Sequence, residues 1–464
     1  RAGMFSVTSG TSGEPKHIPV TRAFTLEQHM PHRLWMNALT CDHPFVADHF
    51  FLTIVSPAEE GRTAGGIPYG SMSGKSYRDQ AIPVRRRHAV PYEAMAIRQH
   101  DSKYFALLAF AMGRPVSCVT AVNPSTLHLL GMRMGEWSEC LLVALERQVR
   151  DGHGGFSDLE GLSSKERATL ERLLRPEPAR VRRLREVFRS DGIILPRTAW
   201  PEPKALCTWH GGNASFYLER LEPLWGPHPT RCLGLRASEG VFSIPVADCT
   251  AEGLLAIGAH FLEFLPEDET PAPHSRTLLA HELEAGKRYR LIITTSAGLY
   301  RYDLADIVEV TSVDRHGLPS VAFRHRAGNV LSLTGEKVTE TQAVAAVRAL
   351  SGTVRLDGFT VTARLDMPPR YILAVETGDT ALCAEGGAAR LAEAFDRELS
   401  AANCEYASKR ESHRLALPEV VLLPGGAYAA WRRRKTEAGV PDGQIKPPHF
   451  ARDASFLEQL LRGT

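Results

Sequence analysis

At 464 residues the chain exceeds the size at which one hydrophobic core keeps growing, so a large domain and a smaller one are expected. Apolar residues make up 43% and charged residues 23%, ordinary globular usage that excludes a disordered or fibrous chain. Lys plus Arg total 55 against 53 Asp plus Glu, which gives no global attraction to nucleic acid or to an anionic membrane; neither is expected as a partner, and any anion site must be local.

The chain opens on Arg1-Ala2-Gly3 and runs at once into a Gly/Ser/Thr cluster. A natural domain rarely opens on its richest motif, so an N-terminal segment is expected to be missing. Residues 22–39 carry Phe24, Leu26, Met30, Leu34 and Trp35 at mixed three and four spacing, an amphipathic helix that Pro31 is expected to kink or split. Residues 51–56 and 116–122 read as buried strands, and helical patterns at 104–112 and 136–149 alternate with them, an α/β rhythm. Pro176 and Pro178 divide 163–189 into two helices. Apolar β-favouring segments at 241–246, 289–295, 307–310 and 321–323 predict a further sheet within the large domain, 1–326. Beyond Arg326 the order strand, helix (339–350), strand (358–363), strand (371–377), helix (388–400) predicts a small α+β domain, 327–464.

The eight cysteines show no CxxC pair, which argues against a zinc site and a disulfide scaffold and favours a reducing compartment, the cytoplasm. The apolar stretches at 106–112 and 254–265 are too short or interrupted to cross a bilayer. Basic runs at Arg85–Arg87 and Arg432–Lys435 read as solvated faces rather than nucleic-acid patches.

Three segments carry chemistry. The first is FSVTSGTSGEPK, Phe5 to Lys16: an apolar strand, a run of glycines and hydroxyls, then a lysine. Its backbone N–H groups and hydroxyls suit a polyphosphate, with Lys16 as a point charge. It is not a P-loop, because GxxxxGK[ST] would need glycine where Pro15 stands and Ser or Thr where His17 stands. The second is Ala237-Ser238-Glu239-Gly240, where a carboxylate beside glycine can hold Mg²⁺ and leave room for a nucleotide. The third, residues 298–306 (GLYRYDLAD), places Asp306 before a strand-like IVEV, where it can accept from a ribose diol. Tyr300 and Tyr302 beside it read as core or edge packing rather than a base platform.

With RAGNVLSLTGEK at 326–337 and QIKPP at 444–448, these segments, in this order over essentially the whole chain, resemble the adenylate-forming superfamily. The resemblance is close to the Gretchen Hagen family of acyl acid amido synthetases, of which this chain looks like a bacterial member. It implies the adenylate-forming fold, with a mobile small domain that rotates near 326–329. It also implies that Ser9, Gly10, Thr11, Ser12 and Lys16 bind ATP phosphates, that Ser238 and Glu239 meet nucleotide and Mg²⁺, and that Asp306 binds ribose. Arg326 would sit at the hinge and reach the nucleotide, and Lys446 would act over the active site in one half of the cycle. Two departures stand out: Leu235 replaces an aromatic residue four positions before Glu239, and Ala305 replaces a glycine before Asp306.

The implied reaction joins a small-molecule carboxylic acid to an amine or amino acid through an acyl-adenylate, with ATP and Mg²⁺, in a monomer or weak dimer. Residues 22–39, Tyr92 and Asn123–Thr126 are expected to wall the acyl pocket, with Arg33 available to a carboxylate. An acyl-CoA ligase and a non-catalytic ATP-binding relative are the alternatives. A nucleic-acid ligase is disfavoured by the lack of a KxDG motif.

Overall fold

The computed structural model describes residues 2–8, 16–211, 214–272, 274–328, 330–350, 354, 356–379, 382, 384–437, 448–451 and 454–462. By internal contacts the chain divides into two compact units, the first containing 16–325 and the second 326–464.

In the first unit, strands β1 (Met4–Thr8) and β2 (Lys16–Val20) pair antiparallel from Met4↔Val20 to Thr8↔Lys16. Helix α1 (Arg22–Asp42) follows, capped by Thr21, whose hydroxyl accepts the Phe24 N–H at 3.1 Å. Pro31 does not split it; the helix runs through the proline as one element. The apolar residues expected on one face lie on two. Phe24, Pro31, Trp35 and Leu39 are buried, whereas Leu26, Met30 and Leu34 are exposed. The indole of Trp35 donates to the Cys232 carbonyl at 2.8 Å and fixes α1 to the sheet beneath.

That sheet is parallel: β3 (Phe50–Ile54), β6 (Val116–Ala121), β7 (Ala205–Thr208) and β8 (Thr230–Cys232) lie side by side in that order. β6 and β7 read as continuous apolar runs because helices cover their faces. The helices at 100–112, 124–136, 138–151 and 178–191 supply Leu107, Leu130, Leu145 and Leu184 to a core that also takes Trp200 and Trp225. Short strands β4 (Gly61–Arg62) and β5 (Pro68–Gly70) extend the β1–β2 pair, β5 running parallel to β1.

Behind β8 the chain forms a hairpin, β9 (Arg236–Ala237) and β10 (Gly240–Val241), and then a six-stranded sheet. Its order is β11 (Ser243–Ile244), β12 (Gly253–Leu255), β16 (Pro319–Arg326), β15 (Tyr302–Val313), β14 (Arg288–Thr294) and β13 (Phe261–Pro266). The sequence expectation of a second sheet here holds, but β15 begins at Tyr302, so Asp306 lies inside a strand rather than before one.

The second unit has a short pair, β17 (Val330–Leu331) with β18 (Val338–Thr339), and a three-stranded sheet. There β19 (Gly358–Arg364) runs antiparallel to β20 (Arg370–Glu376), and β21 (Glu419–Leu423) runs parallel to β20. Helices at 340–350 and 387–402 cover it through Val347, Leu391, Phe395 and Leu399. The carboxylate of Glu336, fully buried, accepts the Leu333 N–H at 2.7 Å, the Thr334 N–H at 2.9 Å, the Thr334 hydroxyl at 2.8 Å and the Tyr371 hydroxyl at 2.8 Å. Within RAGNVLSLTGEK this glutamate therefore folds its own loop.

Candidate active site

The hydroxyl-rich loop joins the paired ends of β1 and β2. Ser9, Gly10, Thr11 and Ser12 lie outside the described residues. Lys16, first residue of β2, lies opposite Thr8, and its ammonium donates to the Tyr302 hydroxyl at 2.9 Å. Tyr302 is thus half-buried and polar-bonded, not simply core, while Tyr300 is 80% exposed in the turn before β15 and packs neither in the core nor along an edge.

The second segment is a two-residue hairpin loop. Ala237 pairs with Gly240, leaving Ser238 and Glu239 at the tip. The Ser6 hydroxyl of β1 donates to the Ser238 hydroxyl at 3.0 Å, which ties the strand leading into the hydroxyl-rich loop to this tip. Glu239 is only 7% exposed and makes no hydrogen bond or ion pair with any described residue. With no described donor to hold it, this carboxylate is available to a cation or a donor-rich ligand.

The hairpin is braced from behind by His260. Its Nε2 accepts the Val241 N–H at 3.2 Å, so the ring proton sits on Nδ1 and is shared with the Glu27 carboxylate at 3.0 Å. Phe24 stacks on the ring with centroids 5.6 Å apart. Burial pushes the His260 pKa down against the opposing pull of Glu27, which favours the neutral ring that the Val241 bond requires. Leu235, which replaces an aromatic residue, is buried in the core of the six-stranded sheet with Phe242 and Leu255.

The third segment contains a bulge. Arg290↔Ile307 and Ile292↔Asp303 are successive pairs of β14 and β15, so Leu304, Ala305 and Asp306 oppose the single residue Leu291. Ala305 takes a left-handed backbone, φ 58°, and its N–H is accepted by the Asp303 carboxylate at 2.7 Å. Asp303 also holds Arg290 through two bonds of 2.8 and 2.7 Å. The left-handed position explains why glycine suits this place, and bulges of this kind re-aim side chains beside active sites. Asp306, 7% exposed, lies in the bulge.

The segments are linked physically. A Cβ on Gly240 would lie 2.8 Å from the Ile293 side chain, and Ile293 is the register partner of Tyr302, which holds Lys16. A relay of contacts thereby links Lys16 to the hairpin that carries Ser238 and Glu239, and Asp306 follows Tyr302 along the same strand. Arg326 ends β16 and is counted with the second unit; Lys446 lies outside the described residues. Sequence reasoning missed Ser6, Glu27 and His260, since a strand serine and a lone His–Glu pair 233 positions apart carry no local pattern.

The acyl-wall expectations fare differently. Arg33 is exposed. The Tyr92 hydroxyl accepts the Ala58 N–H at 2.8 Å. Asn123 spends its side chain capping the helix 124–136 through the Ser125 N–H at 2.9 Å.

Among the described residues no three His, Cys, Asp or Glu side chains converge as a metal cage. Mg²⁺ is usually held by one or two carboxylates plus substrate phosphates, and a lone Glu239 matches that donor set. No helix among the described residues is long and apolar enough to cross a membrane.

Models of the GH3 family match in sequence order: its N-terminal domain over residues 1–230, its central domain over 253–326 and its C-terminal domain over 340–455. The indole-3-acetic acid-amido synthetase GH3.3 of Arabidopsis thaliana is 26% identical over 364 residues, which cover 75% of this chain and 60% of that protein. The probable indole-3-acetic acid-amido synthetase GH3.1 of Oryza sativa subsp. japonica is 25% identical over 98% of this chain and 77% of its own length. Among solved structures, the AtGH3.15 acyl acid amido synthetase in complex with 2,4-DB superposes with a TM-score of 0.61 at 18% identity, covering 100% of this chain and 82% of that one.

Proposed function

The chain belongs to the GH3 family, and from that premise we propose that it is an ATP-dependent acyl acid amido synthetase. The observation that carries the reading is Glu239: a carboxylate with no partner among the described residues, on a hairpin bonded through Ser238 to the strand that enters the hydroxyl-rich loop. Relatives named as amido synthetases support it.

A carboxylate does not react with an amine at neutral pH, because its anionic oxygen is a poor leaving group. In the proposed first step the acid's oxygen attacks the α-phosphorus of ATP, the bond to the bridging oxygen breaks, and pyrophosphate leaves. Lys16 offsets charge on the phosphates, with its ammonium oriented by Tyr302. Ser238 and Glu239 meet the nucleotide end, and Asp306 receives the ribose hydroxyls. Mg²⁺, when bound through Glu239, would neutralise phosphate charge. In the second step an amine nitrogen attacks the carbonyl carbon of the acyl-adenylate, AMP departs, and the nitrogen gives up a proton. We assign Ser9, Gly10, Thr11 and Ser12 to the phosphates, and Arg326 and Lys446 to the nucleotide, on the motif positions they occupy. The free thiols of the described cysteines support a cytoplasmic site of action.

The test is pyrophosphate release from ATP and Mg²⁺ across aryl and alkyl acids, with amino acids or coenzyme A as acceptor. Acid-dependent release with an amide in the mass spectrum supports the proposal. A thioester in its place would make the enzyme a CoA ligase, and nucleotide binding with no release would overturn the catalytic reading.

A further inference from the structure

The first unit contains a second concave feature, at the opposite end of the parallel sheet. Phe50 is the first residue of β3, and Gly113 and Arg114 lie one residue before β6, so a cavity of about 190 Å³ lined by these residues sits at the N-terminal edge of the strands. The Ser238–Glu239 hairpin instead follows the C-terminal end of β8. Five residues of strand separate the two edges by roughly 16 Å.

Four arginines line this cavity: Arg85, Arg86, Arg114 and Arg175. Among the described residues one carboxylate answers them, Glu177, 3.6 Å from Arg114. Arg114 also lies over the Phe50 ring, 5.2 Å from its centroid. Arg175 donates to the carbonyls of Glu171 and Leu174 at 3.1 and 3.0 Å, bonds that orient the group but leave its charge in place. Arg85 and Arg86 are exposed, and their side chains make no hydrogen bond or ion pair with any described residue. Their neighbour Arg87, by contrast, is used structurally, bonding the carbonyls of Ala47 and His49. The basic run is therefore not uniform: one arginine builds the loop and two line the cavity.

His88 completes the lining. Its Nε2 meets the Gln80 side chain at 2.7 Å, while its buried Nδ1 has no hydrogen-bond partner. Burial pushes its pKa down to about 4, so at neutral pH it adds a neutral polar group rather than a fifth charge. The remaining walls are largely apolar, Phe110 and Pro176 among them.

Like charges around so small a space repel one another, and an anion of charge two or more relieves that repulsion. Guanidinium forks match phosphate oxygens, and the apolar walls favour a compact hydrocarbon group attached to them. A benzoate-like acid brings one charge, which leaves the excess uncompensated. We propose that this cavity is a binding site for a small phosphate monoester with a compact apolar or aromatic group, separate from the site assigned to ATP.

The test is calorimetric titration of the intact protein with phenyl phosphate, inorganic phosphate and benzoate, with and without a saturating α,β-methylene analogue of ATP. Phenyl phosphate is expected to bind one site more tightly than either of the others and to be unaffected by the analogue. The double variant R85A/R86A, both of whose side chains are exposed, should keep the parent Tm and weaken phenyl phosphate about tenfold or more. Glu177→Gln should bind at least as tightly as the parent. Absence of saturable binding, competition by the analogue, or equal affinity in R85A/R86A would overturn the assignment.

Discussion

A Cβ on Gly240 would lie 2.8 Å from both Cδ2 and Nε2 of His260. The hairpin that carries Glu239 rests on an imidazole with no space between them, and the same ring accepts the next backbone N–H. Gly240→Ala should therefore cost about 1–3 kcal/mol through overpacking. It should also depress pyrophosphate release beyond what the loss of stability explains, as parallel urea denaturation and release assays would show.

His260→Phe keeps a ring against Phe24 but leaves the Val241 N–H unsatisfied, a loss of about 1–3 kcal/mol. The pH dependence follows from the same ring. A folded pKa below the unfolded value of 6.5 contributes stability that is complete above about pH 6.5 and is lost as pH falls through the folded pKa. His88, pushed down to about 4, acts in the same direction over the window from 6.5 to about 4. The parent Tm should fall as pH is lowered from 7 to 4.5, and His260→Phe should show a shallower fall.

Lys16→Ala and Glu239→Ala should each lower acid-dependent pyrophosphate release by ~10²-fold or more with the fold intact, the scale of losing a preorganised electrostatic group. Tyr302→Phe removes only the acceptor that orients Lys16, so a smaller loss is expected, concentrated in KM for ATP. If Lys16→Ala and Glu239→Ala both turn over like the parent, the phosphate and metal assignments are wrong.

What the sequence disclosed and what it hid have separate physical causes. The parallel strands at 50–54 and 116–121 and the helix pair divided at Pro176 were legible because burial on both faces and proline punctuation are local signals. The two-faced α1 was not, because period alone cannot say that Leu26, Met30 and Leu34 face away from the core that takes Phe24 and Trp35. Lys16, Ser238, Glu239 and Asp306 could be singled out from their segments. The bonds from Lys16 to Tyr302 and from Ser6 to Ser238 could not, since each joins positions more than 230 residues apart. Nor could spacing reveal that Glu336 is spent on its own loop.

Ala305 sits where an L-residue pays for a left-handed backbone, about 1–2 kcal/mol. Glycine there removes that strain but adds unfolded-chain entropy worth roughly 0.4–1 kcal/mol. Ala305→Gly should thus stabilise by about 0.5–1 kcal/mol, read as a higher urea midpoint at constant m.

Glu336→Ala strands two backbone N–H groups, a threonine hydroxyl and the Tyr371 hydroxyl in a buried site. A loss of about 3 kcal/mol or more is expected. Limited proteolysis should show new cleavage within 326–464 while the fragment containing 16–325 persists.

The bond between Lys16 and Tyr302 spans 286 positions of chain. On a ribosome adding roughly 5–20 residues per second, β15 emerges about a quarter of a minute to a minute after β2. Throughout that interval β1 and β2 can pair, and the parallel sheet can be completed once β8 is out, but Lys16 has no hydroxyl to meet. A chain stalled or cut before residue 302 would therefore keep a foldable scaffold while lacking the strand that orients Lys16.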